Sequence, residues 1–428
     1  RPQRAQNGER MSTSGSHSVP TTPGFTRPSG PLASFAFPRF RRVWMAGVVF
    51  SLGNWGERLA TGWVVLNETE SVFLAAASFA VRQAPQLVIA PIGGAMSDRF
   101  SRGNIMLIAG VYKAIVLTLL ALIAANGLEP LWLVFVILAF SGVGHSFEIP
   151  ATQGMVTGSV PRKVRMNAVA VHSTGMRAVG AFGAFAAGFA INLLGVPATF
   201  LASGIAFAAG GFLALLANRG LRTTAVEKTG SVIRDVIDGL KLMSTLPIVR
   251  MILITAVLVE IFGFAYGAVM PAVAKNALHV DEKGLGTLTM MVGIGSVAGS
   301  IFLMILGNFR RKGLLLMAVA VSYGAFLATF SASGSYAVAL MLIMGVGASA
   351  AAFDAMQWTL LQLNVPDEMR GRAVGAWVFA IGFGWIGHLG LGAAGEAFGV
   401  QWTLAGAGIV CMATGFVVVA VSPSMRRI

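Results

Sequence analysis

The sequence predicts an all-α membrane protein with twelve transmembrane helices in two pseudo-symmetric six-helix halves, and three observations carry that prediction. Of its 428 residues 56% are hydrophobic and 11% charged, against about 25% charged in ordinary soluble domains. Apolar runs of the roughly 20 residues needed to cross a ~30 Å hydrocarbon core recur from Val43 to Val421. The chain also repeats itself at a spacing of about 205 residues.

Taken in order, residues 1–38 are rich in Ser, Thr, Pro and Gly, cannot bury enough apolar surface to order themselves, and are expected as a disordered cytoplasmic tail. Met11 is a candidate start. No apolar segment precedes Val43, so a cleaved signal peptide is not expected. Spans are predicted at 43–66, 71–96, 104–126, 130–155, 165–194 and 198–218 in a first half covering 39–218, and at 248–274, 284–306, 313–331, 335–361, 371–394 and 401–421 in a second half covering 248–428. All must be helices, because lipid satisfies no backbone polar group. Glycine and proline inside them are tolerated and let backbones approach. The intervening linker, 219–247, contains Gly230 to Leu246 with apolar and charged residues at helical spacing, which suits an amphipathic helix on the inner leaflet.

The repeat is explicit in Ser159–Val171 and Asn364–Ala376, which match at Val160/Val365, Pro161/Pro366, Arg165/Arg370, Ala168/Ala373 and Val169/Val374. A Gly-Val-Gly triplet precedes each, followed by an acid at similar depth, Glu148 and Asp354. Duplicated halves of this kind mark secondary transporters that rock around a central site.

Of the 31 Lys and Arg, seven lie between Arg1 and Arg42 and eighteen in alternate loops and the C-terminus, whereas the opposite loops hold Lys275 and Lys283. Basic residues are retained on the cytoplasmic side, so both termini are expected there. The net charge of +14 is read as this topology signal and an attraction to lipid headgroups; nucleic acid is not an expected partner. Cys411 is the single cysteine, which excludes an internal disulfide and a cysteine metal site. No metal-binding helix pattern, phosphate-cradling loop or nucleophile elbow is present, so neither an enzyme nor a cofactor is expected.

From about Phe40 onward the chain resembles the major facilitator superfamily. Its loop between helices 2 and 3 reads G-x-x-x-D-R-x-G-R-R/K, matched here by Gly94, Asp98, Arg99 and Arg102, with Ser101 and Gly103 departing from the pattern. "APIGGAMSDRFSR", "FEIPA", "MRAVGAFGAF" and "LLQLNVPDEMRGRAVGAW" resemble the bacterial exporter branch known as transmembrane secretion effectors. In helix 5, Ala181 stands after Gly180 where that branch usually has proline.

The resemblance implies the major facilitator fold, a bacterial inner membrane and a cytoplasmic latch between the halves. In that latch Asp98 faces a helix N-terminus, while Arg99 and Arg102 pair with Asp367 and Glu368 next to Arg370 and Arg372. It also implies that helices 1, 4, 7 and 10 line the cavity. Glu57, Glu148, Glu260 and Asp354 fall one on each, roughly 10–21 Å from their cytoplasmic ends at 1.5 Å per residue.

Intramembrane charges are costly and mark functional or paired groups. The first half sets Arg58, Arg82, Lys113 and Arg177 against Glu57 and Glu148, whereas Glu260 and Asp354 have no embedded Lys or Arg in their own half. The former pair is expected in ion pairs. The latter either pairs across the interface, with Arg177 or Arg58, or holds protons. His145 and His172 are read as helix–helix polar contacts.

The function expected is proton-coupled export of a small amphipathic molecule such as a drug, siderophore or secondary metabolite, by a monomer whose partners are substrate, protons and membrane lipids. Import by the same fold is the alternative, and a non-transporting sensor is less favoured. The topology is testable: in intact cells a membrane-impermeant thiol reagent should label a cysteine at Glu68 and spare one at Thr229. The reverse pattern inverts the orientation.

Overall fold

In a computed structural model of the chain, residues 30–218, 246–307, 309–365 and 370–427 are described. Twelve helices cross in sequence, with no strand among the described residues. They are α1 Pro38–Thr69, α2 Val72–Arg99, α3 Arg102–Ala124 and α4 Leu131–Gly158, then α5 and α6 from the run Arg165–Asn218. The second half holds α7 within Pro247–Ala277, α8 Glu282–Leu306, α9 Lys312–Ser331, α10 Tyr336–Leu363, α11 from Arg370–Ile381 and Gly384–Phe398, and α12 Val400–Val421. With 20 residues, α9 reaches about 30 Å, just the hydrocarbon thickness.

The duplication is visible in local chemistry. Between α5 and α6 the chain turns at Gly195 (φ 82°) and between α11 and α12 at Gly399 (φ 84°), each followed by valine. Only glycine enters that left-handed region without strain, so one residue suffices to end each helix. Ser71 Oγ and Asp281 Oδ1 cap the related helices α2 and α8, accepting from Leu74 N at 3.1 Å and Gly284 N at 3.0 Å. Gly142 of α4 lies against the Arg82 carbonyl of α2, and Gly347 of α10 against the Val292 carbonyl of α8. Small residues at such crossings bring backbones together, and a Cβ at either position would strike main chain.

Two segments depart from plain helices. α7 widens into π turns at Val259–Phe264 and Val273–Ala277; the second follows Pro271, which has no N–H to donate to the preceding turn. α11 breaks between Ile381 and Gly384. The expected tail is also partly seated: Ala33–Ala36 form a short 3-10 turn. Ser34 N donates to Asn167 Oδ1 at 2.9 Å, and the Phe35 ring packs edge-on to Phe40 and Trp44. The proposed amphipathic helix of the linker lies outside the described residues.

The halves meet on the face opposite the termini. There Gly188 of α5 approaches the backbone of Gly286 on α8, and Gly392 of α11 meets Ala76 of α2. Two acids of the second half clasp the first. Glu396 Oε2 accepts from Val72 N at 2.6 Å, Phe73 N at 3.1 Å and Ser71 Oγ at 3.3 Å, which places a carboxylate on the positive N-terminus of α2. Glu282 accepts from Trp63 Nε1 at 2.9 Å and Asn192 Nδ2 at 3.4 Å. Toward the termini, Met166 of α5 and Ile305 of α8 are 87% and 78% exposed. Among the described residues, the closest contacts between the halves thus lie on the far face.

Because hydrogen bonds to a charged group contribute about 1.5–3 kcal/mol, Glu396→Ala should shift the population toward a far-face-open form by about tenfold or more. Spin-label distances between Glu68 and Asn276 should then lengthen. An unchanged distribution would show that the clasp holds nothing shut.

Candidate functional site

The buried charges of the first half form one connected network. Glu57, wholly buried, accepts from Arg82 Nε at 2.9 Å and Nη2 at 3.1 Å, lies 3.1 Å from Lys113 Nζ, and accepts from Ser141 Oγ. Asn54 extends it: its Oδ1 accepts from Arg82 at 2.9 Å and Lys113 at 3.2 Å, and its Nδ2 donates to Glu148 at 3.0 Å. The second oxygen of Glu148 lies 3.0 Å from His145 Nδ1. Residues from α1, α2, α3 and α4 are joined in this way, and Lys113 also stands 3.8 Å over the Phe207 ring of α6. Glu57 is therefore paired with embedded bases as expected, whereas the partners of Glu148 are the His145 ring and the Asn54 amide.

The second half is arranged differently. Glu260 sits in the first π turn of α7, and its side chain faces Gly384, at the break in α11, together with Gln83 of α2. A Cβ on Gly384 would come 2.7 Å from Glu260 Oε1 and 3.1 Å from Gln83 Nε2. Among the described residues Glu260 has no ion-pair partner. Asp354 of α10 faces Arg177 of α5, with Nη2 to Oδ2 at 3.9 Å and both side chains partly exposed. Arg177 thus reaches across from the other half.

Above this pair lies a cavity of about 200 Å³ whose walls include Trp55, Arg58, Phe79, Arg177, Phe264 and Tyr266. The Arg58 guanidinium stands 5.3 Å from the Trp55 ring and 5.5 Å from Phe79. Behind Glu260 the ring of Tyr323, fully buried, fills the space left by Gly263, and its hydroxyl has no hydrogen-bond partner among the described residues. His388 is buried beside Phe79, ring centroids 6.2 Å apart.

In the terminal-face motif, Arg102 makes contacts within its own half. Arg102 Nη1 donates to the Gly154 carbonyl at 2.8 Å and Nε to Ser97 O at 3.3 Å, tying the α2–α3 turn to α4. Gly94 has open space around its Cα, and Arg99 is exposed in the last turn of α2, which Asp98 shares. Arg370 and Arg372 open α11, while Asp367 and Glu368 lie outside the described residues.

Sequence reasoning found the acids and bases but not Asn54, Gln83 or the π turn. Asn54 stands one turn before Glu57 and Arg58, at i−3 and i−4, a spacing that could have flagged it. Gln83 follows Arg82 directly, and nothing in its local pattern points to Glu260.

Twelve crossing helices, duplicated halves and a cavity with charged walls define a transporter of the major facilitator fold. Solved structures agree at the level of fold. A peptide transporter of the POT family matches with a TM-score of 0.72 at 12% identity, over 91% of this chain and 95% of its own. A bacterial homologue of the lysosomal transporter Spinster, described as inward-facing and unoccupied, matches with a TM-score of 0.68 at 15% identity, over 91% and 98%. The transmembrane secretion effector family matches residues 29–426, and the chain belongs to that family. Among its relatives, the enterobactin exporter of Shigella boydii is 25% identical over 369 residues, 82% of this chain and 85% of the relative. The staphyloferrin A transporter of Staphylococcus aureus is 24% identical over 259 residues, 59% of this chain and 63% of that relative's length.

Glu57→Gln would leave Arg82 and Lys113 short of a counter-charge in the membrane interior. Breaking a buried pair costs about 3–5 kcal/mol, so purified variant should unfold at markedly lower temperature than wild type. A coincident melting curve would remove Glu57 from the structural frame.

Proposed function

We propose that the chain is a proton-coupled exporter of a small amphipathic molecule, with Glu260 and Asp354 as the proton-carrying acids. The observation that carries this reading is the placement of both acids on the second half, Asp354 facing Arg177 of the first half at 3.9 Å. The positive-inside pattern supports a cytoplasmic terminal face.

Protonation of Asp354 removes its charge from the pair with Arg177 and loosens one tie between the halves. Ionised Glu260 and Asp354 are acceptors for hydrogen-bond donors of a cytoplasmic substrate, and a hydrogen bond to the charged form favours that form. Substrate binding then expels protons, and protons entering from outside displace substrate. Glu57 and Glu148, held by Arg82, Lys113, His145 and Asn54, act in this scheme as fixed counter-ions. Gly94, Asp98, Arg99, Arg102, Asp367, Glu368, Arg370 and Arg372 close the terminal face in the opposite state.

Export as the direction is supported by the relative named as an enterobactin exporter, which makes siderophores the first substrates to test. In cells expressing the chain, an uncoupler should raise retention of enterobactin. Glu260→Gln should remain folded, keep binding, and lose gradient-driven efflux. Efflux that survives an uncoupler but fails on ATP depletion refutes the scheme, and wild-type efflux by Glu260→Gln shifts the proton role to Asp354.

A further inference from the structure

We infer that the cavity contains a subsite for an anionic group, built by Arg58 between Trp55 and Phe79, so that the transported molecule joins a carboxylate or comparable anion to a flat apolar body. This rests on the transport reading above and narrows its substrate class.

Arg58 lies roughly 30 Å along α1 from its first residue at 1.5 Å per residue, deep in the membrane, and lines the cavity. Among the described residues it makes no hydrogen bond and no ion pair. The acids that could have neutralised it are engaged elsewhere. Glu57, its neighbour in sequence, is held by Arg82 and Lys113. Glu148 is held by His145 and Asn54, and Asp354 faces Arg177. Glu282 accepts from Trp63 and Asn192. Glu260 packs at Gly384 beside Gln83.

What Arg58 has instead is two aromatic rings, at 5.3 and 5.5 Å. Each such contact contributes about 0.5–2 kcal/mol, less than the several kcal/mol that desolvating an ion costs. The rings position the guanidinium without matching its five N–H donors, whose planar fork fits a carboxylate. Gly267 leaves the fork its room: a Cβ there would come 3.0 Å from Arg58 Nη2. The same two rings, with Phe264 and Tyr266 opposite, form apolar walls for a flat body attached to the anion. Gly267 lies about 10 Å along α7 from Glu260 at 1.5 Å per residue, and neither Glu260 nor Asp354 lines the cavity around Arg58, so the anion subsite and the proton-carrying acids are separate places.

The test uses the full chain in lipid nanodiscs, titrated by calorimetry with naphthoate, naphthamide and naphthylmethylamine, one ring carrying an anion, a neutral amide or a cation. Hydrogen bonds to charged groups contribute about 1.5–3 kcal/mol, so naphthoate should bind about tenfold or more tightly than the other two. Arg58→Gln should reduce it to the level of the amide, and Arg58→Lys, which keeps the charge but not the fork, should retain part of the preference. Equal binding of the three ligands, no binding of naphthoate, or a preference that survives in Arg58→Gln overturns the inference. If Arg58→Gln does not fold, the charge series on wild type and Arg58→Lys decides. Calorimetry reads the naphthoate preference with no gradient present, whereas efflux with and without an uncoupler reads the proton scheme, which separates failure of this inference from failure of that scheme.

Discussion

The structure depends on how the charge of Glu57 is neutralised. A bare carboxylate in the hydrocarbon region is too costly to keep, and Glu57 meets that constraint with Arg82 and Lys113 from two other helices and a hydroxyl from a third. Each partner is satisfied only if α1, α2, α3 and α4 hold one rotation and one depth. The pair therefore fixes the register of the first half in an environment where apolar contact alone distinguishes little, since lipid tails are as apolar as leucine. It also decides which charges remain available: once Arg82 and Lys113 are committed, Arg58 and Arg177 are the cations left to face the cavity.

The backbone repeats but the charges do not. Gly195 and Gly399, Ser71 and Asp281, and Gly142 and Gly347 perform the same tasks in each half. Duplicated backbones give matching surfaces that can rock about a centre; unmatched charges give the two surfaces opposite sign. The first half presents arginines to the centre and the second presents carboxylates. An interface of this kind can be strengthened or released by protons or by an anion, whereas two identical faces would respond to neither.

Most of the fold was legible because membrane crossing imposes length and apolarity on local sequence. The twelve predicted spans coincide with helices, and the Gly-Val turns are readable as they stand. The site was half legible. The four acids announce themselves by standing in apolar runs, but their partners are chosen by rotation of one helix against another, which no local pattern encodes. Asn54 serves Arg82, Lys113 and Glu148 at once, and Gln83 and Glu260 share the space beside Gly384 only because three helices converge at the break in α11. The π turn was hidden for a similar reason. Gly263 is small because the Tyr323 ring, 60 positions away in sequence, occupies its side-chain space, and widening the helix there directs Glu260 toward the interface.

The two faces of the molecule differ in what holds them. On the far face the clasp consists of carboxylates on backbone amides and an indole, Glu396 on the start of α2 and Glu282 on Trp63, reinforced by glycine contacts that bring main chains together. Such contacts are short-ranged and vanish once the helices part by a few ångströms. At the centre Arg177 and Asp354, 3.9 Å apart, are coupled by charge, which falls off more slowly with distance than a hydrogen bond does. In the proposed scheme a rocking motion that opens the far face breaks the clasp outright but only stretches the central pair. The state of Asp354 would then still bias the equilibrium after the far-face contacts are gone, with control at the middle of the membrane and the gate following it.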